Sequence, residues 1–176
     1  MAAYVAGDAR AFERLFRVLA PSLRAFFARS VGAGAVADDL AQSTFLKVHG
    51  ARASFRAGER LRPWVFTIAA RVRADWLRSR GRVADDLDAD APDPEPRHDP
   101  ALETLSRERA ERVRAALERL PEGQRVIVHL HRYEELTFAE IGRVLGISEG
   151  AARIRAFRAY DRLRALLADL VEEARS

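Results

Sequence analysis

The residues best suited to chemistry lie in one C-terminal segment, "GISEGAARIRAFRAYDRLR", residues 146–164. It places five arginines on a predicted helix: Arg153, Arg155, Arg158, Arg162 and Arg164. Among them stand Ile154 and Phe157, two large apolar residues where a helix in water normally carries polar side chains. Guanidinium groups bind phosphate, and apolar side chains contact the methyl groups of bases. The segment is therefore a candidate for binding a partner rather than water.

Residues for catalysis or metal binding are not arranged in any recognisable pattern. The chain has no cysteine, which excludes disulfides, thiolate metal sites and a cysteine nucleophile. His129 and His131 form an H-x-H pair, but no third ligand accompanies them at metal spacing, so we expect a partly exposed structural pair. Phosphate-loop, nucleophile-elbow and dinucleotide patterns are missing too. We predict no catalytic residues, no metal, no cofactor and no enzymatic activity.

Charge divides the sequence into three blocks. Residues 1–82 carry 15 basic and 6 acidic residues, and residues 83–103 carry 1 basic and 8 acidic residues. Residues 104–176 are nearly balanced, with 14 basic and 12 acidic residues. The middle block contains "VADDLDADAPDPEPRHDP", which has too little apolar content to offset the entropy of ordering it. It predicts an acidic, proline-rich linker over 83–103 between domains at 1–82 and 104–176.

Apolar residues recur only at helical spacing, so the predicted fold class is all-α with two small helical domains. In the first domain Asp8 is a predicted N-cap, Pro21 is expected to kink the first long helix, and Pro63 suits the first turn of another. Trp76 falls at core spacing and is interpreted as structural. The result is a helix bundle.

The second domain follows the pattern of a helix-turn-helix. Thr104 is a predicted cap, and Thr137 with Glu140 fits a capping box. Gly146 fits a helix C-terminus, and Ser148 fits the N-cap of the last helix. Helix, tight glycine turn and helix together predict a four-helix domain with a helix-turn-helix.

The last helix of this domain has an inward stripe of small and apolar residues: Ala152, Ala156, Ala159 and Leu163. Arg153, Ile154, Phe157 and Arg158 then point outward near the helix N-terminus. A recognition helix in the major groove of DNA needs this arrangement. The alternative is a solvated amphipathic helix, which the arginines alone would fit.

Three fragments in order carry a resemblance that covers nearly the whole chain, from Gly7 to about Leu167. They are "VADDLAQSTFLKVHGARASF" at 36–55, "LRPWVFTIAARVRADWLRSR" at 61–80 and, after the acidic linker, "ALERLPEGQRVIVHLHRYEELTFAEIGRVLGISEGAARIRAFRAYDRLR" at 116–164. Together they resemble the extracytoplasmic-function (ECF, group 4) sigma factors of bacterial RNA polymerase, in the sigma-70 family. The resemblance implies that 1–82 is sigma region 2 and that 104–176 is sigma region 4.

The first fragment resembles region 2.2, which in the family binds core RNA polymerase. Its D-x-x-Q-x-x-F pattern matches Asp39, Gln42 and Phe45. Leu46 shares a helix face with Asp39 and Gln42 and adds an apolar anchor on the side away from the core. The resemblance implies that these four residues bind the β′ clamp helices, whereas a solvated face would explain only the polar pair.

The second fragment resembles regions 2.3 and 2.4, which in the family melt and read the promoter −10 element. Melting requires aromatic surfaces for unstacked bases and cations for the backbone. The implied −10 residues are Trp64, Phe66, Arg71, Arg73, Arg78 and Arg80, with the arginines expected to point outward. Ala69-Ala70-Arg71 replaces the family's usual A-R-N, so the −10 sequence preference is not transferred.

Within the third fragment, "TFAEIGRVLGISEGAARIRAF" at 137–157 resembles region 4, which in the family reads the −35 element. The implied −35 residues are Ser148, Glu149, Arg153, Ile154, Phe157 and Arg158. Ile154 and Phe157 stand where the family has Ser and His. We therefore expect a −35 preference that differs from those of its relatives.

The resemblance implies a sigma factor that binds core RNA polymerase, through the β′ clamp helices and the β flap, and directs it to promoter DNA. An anti-sigma factor is the implied regulator, and the free protein is expected to be a cytoplasmic monomer without membrane insertion. One alternative is a polymerase-independent helix-turn-helix regulator. Another is an adapter that binds polymerase but not DNA.

Overall fold

The computed structural model describes residues 1–5, 7–81 and 100–168. Within these ranges the chain forms helices, turns and irregular connections, and no strand, in agreement with the all-α prediction. Residues 82–99, which include most of the predicted linker, lie outside the described residues. The end of that predicted linker, from Pro100, already belongs to a helix.

The N-terminal domain is built from four α-helices and a short 3₁₀ helix. In chain order these are α1 (Ala2–Val5), α2 (Ala9–Val31), α3 (Ala35–Ala51), the 3₁₀ helix Arg52–Ser54 and α4 (Leu61–Gly81). Asp8 caps α2 as predicted, since its carboxylate accepts a hydrogen bond from the backbone N–H of Arg10. Pro63 lies in the first turn of α4, where a missing backbone N–H removes no helical hydrogen bond.

Helix α2 continues through Pro21 from Ala9 to Val31, so the proline does not interrupt the helix. Pro21 is exposed, so the carbonyl that loses its partner can face water. Leu19, Leu23 and Phe26 on either side are fully buried in the same core. Tertiary packing of both halves thus outweighs the local cost of the proline.

The C-terminal domain contains α5 (Pro100–Glu118), α6 (Glu122–Arg132), α7 (Phe138–Leu145) and α8 (Glu149–Leu166). The predicted cap at Thr104 is wrong, because α5 begins four residues earlier, at Pro100. None of the helices in the described part of the chain is long and apolar enough to cross a membrane.

The turn between α7 and α8 fixes the angle of the last helix. Thr137 and Glu140 form the predicted capping box of α7, and Gly146 ends it in the left-handed conformation at φ 67°. Ser148 caps α8 by accepting the backbone N–H of Ala151 at 3.1 Å. A Cβ on Gly142 would lie 2.7 Å from the carbonyl oxygen of Ile147, so only glycine permits this close approach.

The two domains pack directly against each other, which the sequence did not predict. Helix α6 contacts α2, and α7 contacts α4. One continuous apolar cluster includes Phe26 and Phe66 of the N-terminal domain and Ile127, Leu130 and Ile141 of the C-terminal domain. The described part of the chain is thus a closed arrangement in which each domain covers part of the other.

Candidate nucleic-acid and polymerase interfaces

Helix α8 presents an exposed face that is both basic and apolar. Ala152, Ala156 and Ala159 are completely buried, as predicted for the inward stripe of this helix. On the opposite side Ile154 is 56% and Phe157 is 70% exposed. Exposing two large apolar side chains costs solvation free energy that only a partner can recover. This face is therefore the strongest candidate interface of the C-terminal domain.

Two of the polar residues around this face contact neighbouring groups. Arg153 donates a hydrogen bond to Glu149 at 2.8 Å, and its guanidinium carbon lies 5.5 Å from the ring centre of Phe138. Ser148 and Arg158 are exposed, although the Ser148 hydroxyl oxygen serves as the helix cap. All six predicted −35 residues thus lie at the exposed start of α8, and the structure holds Arg153 in place before any partner binds.

Helix α4 exposes part of the predicted −10 surface. Arg71, Arg78 and Arg80 are exposed, and Arg71 and Arg78 line a groove that runs between α3 and α4. Lys47 of α3 and Asp75 also line the groove, and the Asp75 carboxylate pairs with both Lys47 and Arg78, which leaves a net positive lining. Arg80 lies over the ring of Trp76 at 4.8 Å, and Trp76 packs against the core as predicted. The cation pattern suits a polyanion.

Trp64 and Phe66 occupy different environments. Trp64 is half-buried and packs edge-on against Phe55, with ring centres 5.3 Å apart, so one side of the indole reaches the surface. Phe66 is fully buried between Phe26 of α2 and His129 of α6, with ring centres at 5.4 and 6.1 Å. The expectation that Phe66 forms part of an accessible aromatic surface is wrong in this arrangement.

Arg73 also departs from the prediction that it points outward. Only 14% of its side chain is exposed, and it forms an ion pair with Glu122 at the start of α6. Burial lowers the pKa of Arg73 below its ordinary value, although a guanidinium stays charged at neutral pH. The reason is tertiary: the C-terminal domain covers this face of α4.

Three of the four predicted polymerase-binding residues on α3 are exposed, and the fourth is buried. Asp39 and Gln42 are exposed, and Leu46 is 69% exposed, so these three form a surface patch of two polar residues and one apolar residue. Phe45 is buried and packs against Phe16 with ring centres 4.6 Å apart. Phe45 therefore offers little surface to a partner on this face, and its position indicates a core role.

His129 is buried at the junction of the domains, which corrects the expected partly exposed pair. Its Nδ1 lies 3.3 Å from the Arg29 guanidinium, and its Nε2 lies 3.3 Å from the Glu134 carboxylate. Burial, reinforced by Arg29 and Arg62, lowers the pKa of His129. His131, by contrast, is half-buried, stacks on Phe138 and bonds to the Tyr160 hydroxyl at 2.8 Å.

Glu134 and Glu140 are buried carboxylates held by arginines of the other domain. Burial alone would raise the pKa of Glu134, but the adjacent His129 imidazole and the charge of Arg62 more than offset it and lower the pKa. Burial likewise opposes ionisation of Glu140, but Thr137 and Arg60 lower its pKa overall. Sequence reasoning missed Arg60, Arg62, Glu122 and Glu134, since no local pattern relates residues more than 45 positions apart.

The chain has two helical domains, and the second ends in a helix-turn-helix with an exposed basic and apolar face. This architecture defines a DNA-binding class of protein. The profile described as "Sigma-70 region 2" matches residues 15–83, and "Sigma-70, region 4" matches residues 110–163. The chain belongs to the ECF sigma factors of bacterial RNA polymerase, in the sigma-70 family. It is a factor that directs promoter-specific transcription, and a polymerase-independent regulator is not favoured.

Individual relatives agree with this membership. The chain is 40% identical over 164 residues to the RNA polymerase sigma factor CarQ of Myxococcus xanthus, covering 93% of each. It is 35% identical to the ECF sigma factor SigF of Caulobacter vibrioides, covering 89% of this chain and 86% of SigF. A solved structure of the sigma factor RpoE of Bartonella quintana with the anti-sigma factor NepR matches with a TM-score of 0.74 and 25% identity, covering 91% of this chain and 98% of RpoE.

Proposed function

We propose that the C-terminal domain reads the promoter −35 element through the exposed start of α8. The observation that carries this proposal is the exposure of Ile154 and Phe157 on the side opposite the buried alanine stripe. In the major groove, apolar side chains contact thymine methyl groups while arginines bind guanine edges and phosphates. A −35 element containing thymine at the contacted positions fits this face best.

We propose further that the N-terminal domain binds the core enzyme and the −10 element. Asp39, Gln42 and Leu46 suit a partner helix, since two hydrogen-bonding residues flank an exposed apolar anchor. Arg71, Arg78 and the half-exposed Trp64 suit single-stranded DNA, because cations hold the backbone and an aromatic face stacks on a base. The polymerase supplies the catalysis, and this chain acts with it in the cytoplasm.

An anti-sigma protein is the regulator we propose. The sigma factor RpoE of Bartonella quintana was solved in complex with the anti-sigma factor NepR, and this chain shares that fold over 91% of its length. A protein inhibitor would act by covering the polymerase-binding face of α3 and the DNA-binding face of α8, both of which the closed arrangement leaves exposed. Without an inhibitor or the polymerase, the chain is expected to be a monomer.

The test of the −35 assignment is a change of promoter choice. Ile154→Ser with Phe157→His should alter the preferred −35 bases and leave the −10 preference unchanged, as measured by transcription from a library of promoters with core RNA polymerase. A lost base contact typically costs about 1–3 kcal/mol, which is roughly a 5- to 150-fold change in promoter use. Ala165→Ser, at the exposed far end of α8, is the matched control. An unchanged −35 preference would refute the assignment.

A further inference from the structure

In the described ranges, three carboxylate–guanidinium pairs join the two domains, and all three have the same direction. In each the arginine belongs to the N-terminal domain and the carboxylate to the C-terminal domain. The pairs are Arg60 with Glu140, Arg62 with Glu134 and Arg73 with Glu122. The shared direction means that an acidic edge of one domain covers a basic strip of the other.

The basic strip follows one face of α4. Arg62 and Arg73 are 11 residues apart, which is three helical turns and roughly 16 Å along the axis. Phe66 lies between them on that face, one turn after Arg62. Arg60 immediately precedes α4, and its Nη1 lies 2.7 and 2.8 Å from the two carboxylate oxygens of Glu140. At 3.4 Å per nucleotide along a duplex strand, the strip spans about five nucleotides.

Two of the three carboxylates are more deeply buried than those of surface ion pairs. The Glu134 side chain is 2% exposed and the Glu140 side chain is 8% exposed. Removing such charges from water is costly, so the arginines opposite them must provide much of the compensation. Glu122 contacts the Nη2 of Arg73, while the Nε of Arg73 has no hydrogen-bond partner among the described residues. A phosphate could bind both of these donors, since it presents several acceptor oxygens.

We propose that Arg60, Arg62 and Arg73 form a phosphate-binding strip for the DNA backbone, and that Glu122, Glu134 and Glu140 occupy it in the closed arrangement. Carboxylate oxygens stand in for phosphate oxygens, because both are anionic acceptors that guanidinium binds bidentately. This inference rests on the proposed function, in which the N-terminal domain binds DNA. Arg60 and Arg62 extend the DNA-binding set beyond the residues that the sequence indicated.

One consequence is competition between domain docking and DNA binding. The strip cannot hold the carboxylates and phosphates together, so DNA favours the open arrangement, and docking weakens DNA binding by the same factor. Apparent DNA affinity then depends on the fraction of molecules that are open. Neutralising the carboxylate of one interdomain pair should therefore strengthen DNA binding by the strip, although the altered residue belongs to the C-terminal domain.

The Arg73–Glu122 pair allows a clean test in the full chain, because Glu122 is half-exposed at the start of α6. The probe is a fluorescently labelled DNA duplex of random sequence, titrated at low salt. Glu122→Gln should bind it about three- to tenfold more tightly than the unaltered chain. Arg73→Gln should bind it more weakly, and adding Glu122→Gln to Arg73→Gln should restore little.

Glu118→Gln is the matched control, since it removes the same charge from an exposed position on α5 in the same domain. If Glu118→Gln and Glu122→Gln strengthen binding equally, net charge explains the effect and the strip is refuted. No change with Glu122→Gln would also refute it. The chain has no cysteine, so dyes on Ala57→Cys and Ala115→Cys report the separation of the domains. Glu122→Gln must increase this separation.

Failure of this inference differs from failure of the proposed function. If core polymerase with the unaltered chain initiates at defined promoters while Glu122→Gln behaves as Glu118→Gln does, the strip is wrong and the function stands. If Glu122→Gln alone strengthens DNA binding but no defined start sites appear, the strip stands and the promoter-directing function is wrong.

Discussion

Gly142 is the position where α7 comes closest to the turn that precedes α8. A Cβ at this position would lie 2.7 Å from the carbonyl oxygen of Ile147 and 3.3 Å from the backbone nitrogen of Glu149. Backbone atoms cannot rotate away as side-chain ends can, so the turn and the start of α8 must move. Forcing a methyl group into a packed site costs about 1–3 kcal/mol. Alanine recovers up to about 1 kcal/mol of this through its higher helix propensity. We therefore expect Gly142→Ala to lower the free energy of unfolding by about 1–2 kcal/mol.

Urea unfolding followed by circular dichroism measures this change, and thermal unfolding checks it. In a chain of this size each kcal/mol corresponds to a shift of roughly 2–4 °C in Tm. Gly123→Ala is the matched control, because a Cβ on that helical glycine meets nothing within 4 Å. The control should be neutral or stabilising. If Gly142→Ala is as stable as Gly123→Ala, the close approach does not constrain the helix-turn-helix, and the reasoning is refuted.

Three further predictions follow from the same structure. Burial lowers the pKa of His129 below 6.5. As the pH falls, His129 is therefore protonated in the unfolded chain before it is protonated in the folded chain. The contribution of neutral His129 to stability should thus be complete above pH about 6.5 and decrease as the pH falls below it. Free energies of unfolding measured across this pH range test the prediction. His129→Gln should reduce the dependence of stability on pH. Leu46→Ala should weaken binding to core polymerase about tenfold without changing Tm, whereas Val18→Ala, equally exposed on α2, should leave affinity unchanged. Thr137→Ala should cost about 1 kcal/mol of stability by removing the capping box; an unchanged urea midpoint would contradict this.

The local features of the C-terminal domain could be predicted from the sequence. The capping box at Thr137, the left-handed Gly146 and the cap at Ser148 each depend on residues within a few positions of one another. The buried stripe of α8 follows from helical periodicity, which also placed Ile154 and Phe157 outside. Such features are fixed by backbone geometry, so composition and spacing are sufficient to find them.

The docking of the domains could not be predicted in this way. Its contacts join residues such as Arg60 and Glu140, which lie 80 positions apart and show no shared pattern. The same contacts bury Arg73 and His129, which helical spacing alone would place toward solvent. Pro21 shows the related limit, since α2 continues through the proline where Leu19 and Leu23 on either side of it are buried in the core. Errors in the predicted site therefore concentrate where the second domain covers the first.

The central claim is that this chain directs RNA polymerase to chosen promoters. The most direct measurement is transcription in vitro by purified bacterial core polymerase on genomic fragments, with and without the chain, with start sites mapped by sequencing. We predict defined start sites that appear only when the chain is present and that share upstream −10 and −35 sequences. Start sites that are random, or the same with and without the chain, would contradict the claim.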